Sequence, residues 1–118
     1  MKKRSHPELA AKVYNLCYRI TACRSAAAAL SLKALTFDDP IREAIRLSMI
    51  ETHQPDDDFF DTPWNRAFFS LSRRERLALL LLDNLHLPTA QAARWAEIPE
   101  YELISLTHTA RLKLTKNI

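Results

Sequence analysis

Apolar side chains recur at three- and four-residue steps through most of this chain, and prolines or short polar runs break the pattern. That is the period of amphipathic helices. Ser5-His6-Pro7, Asp39-Pro40 and Thr62-Pro63 each set a polar residue before a proline. A polar cap followed by proline in the first helical position is a favoured start, because that position has no N–H partner to lose. Ile98-Pro99-Glu100 is a similar start without the polar cap. The pattern predicts helices over 7–22, 25–36, 40–53, 63–69, 73–85, 89–96 and 100–115. In "LSRRE" (71–75) Ser72 can cap, and Glu75 three residues on can reach back, a capping box. The following "RLALLLLDNL" is apolar around too much of its circumference for a surface helix and is expected at the centre of a bundle.

The last predicted helix shows two distinct faces. With Leu103 as reference, Thr107, Ala110 and Leu114 fall within about 40° of it and Leu106 lies about 60° to one side. This is the expected buried stripe. Ser105, His108, Thr109 and Leu112 face the other way, with Ile104 at the edge. Together with helix 89–96 and the connection Glu97-Ile98-Pro99, it scans as a helix-turn-helix.

Composition narrows the class. The 118 residues include no glycine and are 47% apolar, which favours a buried core and leaves little material for tight hairpins. The expected fold is all-α, with two small helical lobes at 5–54 and 63–118 and a linker at 55–62. The linker lies within "ETHQPDDDFFDTPW" (51–64). Its aspartates lack the alternating oxygen ligands and glycine turn of a calcium loop, so no metal site is expected. Phe59, Phe60 and Trp64 are expected to pin it onto a lobe. The net charge is +3, with a pI near 9.1, too mild to indicate nucleic acid by itself. Part of that charge is the tail Met1-Lys2-Lys3-Arg4. Cys17 and Cys23 lie about 120° apart on one predicted helix and do not pair locally. Reduced thiols, the lack of a signal-peptide pattern and the lack of a spanning apolar run lead to the expectation of a cytoplasmic protein without membrane contact. His6, His53, His86 and His108 are scattered and no phosphate-cradling glycine loop exists, so neither an enzyme nor a cofactor is expected.

The motifs resemble those of a known family. "LSRRERLALLLLDNLHLPTAQAARWAEIPEYELISLTHTARLKL" (71–114) is similar to region 4 of bacterial sigma factors, particularly the small extracytoplasmic-function type. Leu71, Arg76, Leu79, Leu87, Ala93, Ile98, Pro99, Glu100, Leu103, Ala110, Arg111 and Leu114 stand in register with that pattern. "YNLCYRITACRSAAAALSLKAL" (14–35) is similar to sigma region 2 through Tyr18, Arg19, Ile20, Thr21 and Arg24. The resemblance implies a second lobe of the region-4 helix-turn-helix type.

The departures from the family are concentrated at its binding positions. Where region 2 carries the acidic and glutamine residues that contact core RNA polymerase, this chain has Ala28, Ala29 and Leu32. The segment that in the family melts the −10 element has no aromatic here and only Arg42 and Arg46 as cations. On the recognition helix, Glu102, Ile104 and Leu106 replace residues that are often threonine, lysine and arginine; Thr109 replaces an arginine, and Glu97 the turn glycine. Duplex affinity comes largely from neutralising phosphates with lysine and arginine, and sequence is read by long polar side chains. The sigma-like domain of alphaproteobacterial general-stress response regulators is similar in the same way: it keeps the fold without usable promoter contacts and binds an anti-sigma factor. Those regulators also carry a receiver domain, for which 118 residues leave no room. This chain is thus a receiver-less relative, a fragment, or alike in type only, and phosphorylation control is not carried over.

The expected partner is therefore a protein, an anti-sigma factor or RNA polymerase, met by Ala28, Ala29, Leu32, Ile104, Leu106 and Leu112. A structural reading stands beside it, in which Ile104 and Leu112 simply pack against the first lobe or the linker aromatics. The alternative function is a minimal sigma factor or helix-turn-helix regulator holding promoter DNA through Arg73, Arg74, Arg76, Arg94, His108, Arg111 and Lys113.

Overall fold

The computed structural model describes residues 7–50 and 53–117. Among them there are seven α-helices and no strand, so the fold is all-α. The helices are α1 (Pro7–Thr21), α2 (Arg24–Ala34), α3 (Pro40–Ile50), α4 (Pro63–Phe69), α5 (Arg73–Leu79), α6 (Thr89–Ala96) and α7 (Glu100–Asn117). The chain divides into two compact units, Met1–Asp56 and Asp57–Ile118. The tail 1–4, the cap expected at Ser5-His6, and residues 51–52 of the third predicted helix lie outside the described residues.

In the first unit, α1, α2 and α3 each pack against the other two. Val13, Leu16, Cys17 and Ile20 from α1 and Ala44, Ile45, Leu47 and Ser48 from α3 are buried. On α2 the buried positions are Ala27, Ser31 and Ala34. Small side chains at one-turn spacing let helices approach closely. α1 stops one residue short of its predicted end because Ala22 turns to φ 60°. Asp56 closes this turn: its N–H donates to the Ala22 carbonyl at 2.7 Å, and its carboxylate accepts the Arg24 N–H at 2.9 Å. The carboxylate thus caps the N-terminus of α2, where an anion is favoured.

In the second unit, Asp57–Asp61 forms a 3₁₀ turn, and Thr62 caps α4 by accepting the Asn65 N–H at 3.1 Å. Within the stretch read as a linker, Phe59 is buried, and Phe59, Phe60 and Phe69 meet edge to face with centroids 5.4–5.6 Å apart. Trp64 stacks on Phe68. The capping box at Ser72 and Glu75 forms with both bonds present. Leu77 through Leu81 are all buried, at the centre of this unit. The helix predicted over 73–85 changes winding midway. After Leu79 it widens into a π-helical turn, Leu80–Asn84, in which the Leu85 N–H donates to the Leu80 carbonyl at 2.8 Å.

Candidate functional site

The α7 helix follows α6 after three residues, Glu97, Ile98 and Pro99. Glu97 holds φ 61°, ψ 42°. Its N–H donates to the Arg94 carbonyl at 3.2 Å and the Ile98 N–H donates to Ala93 at 3.1 Å. This paired closure is the Schellman motif, which ends a helix sharply. Pro99 then releases the next helix, with the Leu103 N–H donating to its carbonyl.

α7 buries Leu103, Thr107, Ala110 and Leu114, the stripe its periodicity predicts, with Leu106 half-buried at its margin. Three ion pairs fix the rotation of the helix from its flanks. Glu102 pairs with Arg74 of α5, Arg111 with Asp83 of the π-helical turn, and Lys113 with Glu75 at 2.9 Å. The Arg111–Asp83 pair is bidentate, through Nε and Nη2. The Arg111 hydrogen bonds hold the Asp83 carboxyl below its ordinary range, against the effect of burial. Burial pushes the Glu75 carboxyl up, but Lys113 and the Ser72 hydrogen bonds outweigh it and leave it lowered.

Opposite the buried stripe stand Tyr101, Ile104, Ser105, His108 and Leu112, all exposed. At 100° per residue they span a sector of about 100°. Tyr101 is 77% exposed, Ile104 54% and Leu112 55%, so the face offered outward is largely apolar. Tyr101 was not among the sequence candidates, although it lies three residues before Ile104, in step with His108 and Leu112. The other predicted partner residues, Ala28, Ala29 and Leu32, lie exposed on α2 in the first unit, with Leu32 at 69%. Leu106 does not join the outward face.

The cations of the DNA reading are mostly engaged. Arg74, Arg111 and Lys113 each hold a carboxylate. Arg76 is 5% exposed, its guanidinium sits 3.9 Å over the Phe69 ring, and it also donates to the Phe69 carbonyl at 3.5 Å. Burial and the neighbouring Arg73 charge push its pKa down to about 10, so it stays protonated at neutral pH. Its Nε, buried and without an acceptor among the described residues, does not reach the surface. Arg73 is half-buried, and Arg94 and His108 are exposed. Among the described residues no group of three metal-ligating side chains converges, and no helix is long and apolar enough to cross a membrane.

Compared with protein-family models and with curated proteins, the chain matches none.

Proposed function

We propose that this chain is a sigma-like transcription regulator that acts by binding a protein, an anti-sigma factor or RNA polymerase, rather than by holding promoter DNA. The observation that carries the reading is the outward face of α7. The helix in the place of a recognition helix presents Tyr101, Ile104 and Leu112, while Arg111 and Lys113 are tied to carboxylates of their own unit. A face of this kind is short of phosphate-holding charge and rich in the apolar anchors of helix-mediated docking. The exposed Ala28, Ala29 and Leu32 of α2 offer a second apolar patch, at the positions that in sigma factors meet the polymerase.

Affinity capture of the tagged chain from its native host tests the reading. An anti-sigma-type protein or RNA polymerase is the expected companion. Capture of neither, together with duplex binding that falls steeply with salt, would return the function to promoter DNA.

A further inference from the structure

The outward face of α7 carries a lengthwise charge pattern as well as apolar side chains. Glu100 stands at its N-terminal end, and Arg111 and Lys116 at its C-terminal end, all exposed along its flanks. Laid parallel against a copy of itself, the face would bring like charges together at both ends. Laid antiparallel, each acidic end meets a basic end, and the helix dipoles are opposed in the favourable sense. A twofold contact demands a patch complementary to itself under that rotation, and this face meets the demand.

The register follows from the spacing of the apolar residues. With the twofold axis between residues 106 and 107, Tyr101 lies opposite Leu112 of the second copy. Ser105 lies opposite His108, and Ile104 beside His108. Glu100 and Arg111 project from the same flank of the helix, about 20° apart in azimuth. In the antiparallel pair that flank faces its own copy, so Glu100 lies within about 3 Å, along the axis, of level with Arg111 of the second copy. Arg111 uses Nε and Nη2 on Asp83, which leaves Nη1 to accept this second carboxylate as a partner.

We infer that the outward face of α7 binds α7 of a second copy of this chain, antiparallel, so that a homodimer covers the face when no other partner holds it. The inference rests on reading this face as a docking surface. One helix stripe is smaller than the ~800 Å² per partner of a stable complex. The dimer is therefore weak and gives way to any partner with a larger footprint.

Sedimentation velocity of the full chain over a wide concentration range tests this. The expected result is a reversible monomer–dimer equilibrium. Ile104→Glu is expected to remain monomeric where the parent dimerises, with an unchanged far-ultraviolet melt because the side chain is exposed. Should that variant unfold, Glu100→Lys, a change at an exposed position, carries the test. Glu100→Lys is expected to weaken association about tenfold by reversing its two symmetry-related pairs with Arg111. A parent that is monomeric throughout, or a dimer that both Ile104→Glu and Glu100→Lys leave unchanged, overturns the inference. A monomeric parent whose capture of a cellular partner is still lost in Ile104→Glu overturns the dimer and leaves the docking reading standing. A dimer that captures no such partner upholds the dimer and removes the heterologous reading.

Discussion

Glu97 occupies a backbone conformation suited to glycine, in a chain that contains none. Ala22 and His86 share this condition, at φ 60° and 56°. For a residue with a Cβ the left-handed region costs roughly 1–2 kcal/mol, so each turn is held by the structure around it. Glu97→Gly removes the penalty without disturbing either bond of the Schellman closure. It is expected to stabilise the second unit by about 1 kcal/mol and raise its melting temperature by about 4–8 °C, read by calorimetry. The turn itself was legible, because Ile98-Pro99 interrupts the helical pattern; the strain at Glu97 was visible only as a missing glycine. Arg76 was not legible at all. In "RRER" it was expected among the cations of the DNA reading, and nothing in the local pattern marks it as the one that turns inward. The structure turns Arg76 inward onto Phe69, an aromatic outside its own helix.

At the scale of the element, α7 is defined by what clamps it. The buried stripe gives the helix one apolar side, and pairs from Glu102, Arg111 and Lys113 fix both flanks. Glu75 and Asp83 have lowered carboxyl pKa values in the folded protein. Such groups contribute stability that is full above the ordinary carboxylate range of about 4 and is lost as pH falls through the lowered folded values. Acid melts are expected to show this loss, and a Glu75→Gln, Asp83→Asn variant is expected to flatten it. At neutral pH Glu75→Gln alone is expected to cost ~1–3 kcal/mol, since a buried capping-box residue loses its charged bond to Lys113. Helix starts were legible because prolines and the capping box act within four residues. The widening at Leu80–Asn84 was not, because an unbroken run of leucines carries no phase to reveal a change of winding. The ion pairs were also hidden, since their partners stand 28 and 38 residues apart.

At the scale of the whole molecule, few of the cations of the DNA reading are available to a polyanion. Arg74, Arg111 and Lys113 are neutralised within the second unit and Arg76 is buried. Duplex binding is accordingly expected to be weak at low salt, with a shallow dependence on salt concentration, measured by fluorescence anisotropy. The all-α class followed from glycine-free, alanine- and leucine-rich composition and from periodicity. The apolar character of the outward face followed from the same periodicity, because Leu112 falls opposite Leu103 and Ile104 at the edge of that side on any helix through them. Tyr101 completes that face and was passed over because it stands in the first turn, beside the glutamates that mark the helix start.

The most direct test is a paired capture from the native host, using the parent chain and an Ile104→Glu, Leu112→Glu variant whose melting curve matches the parent. Both side chains are exposed, so the variant is expected to fold. Loss of an anti-sigma-type or polymerase companion by a folded variant is the expected result. Equal capture by parent and variant would contradict the assignment of the outward face of α7 to a protein partner.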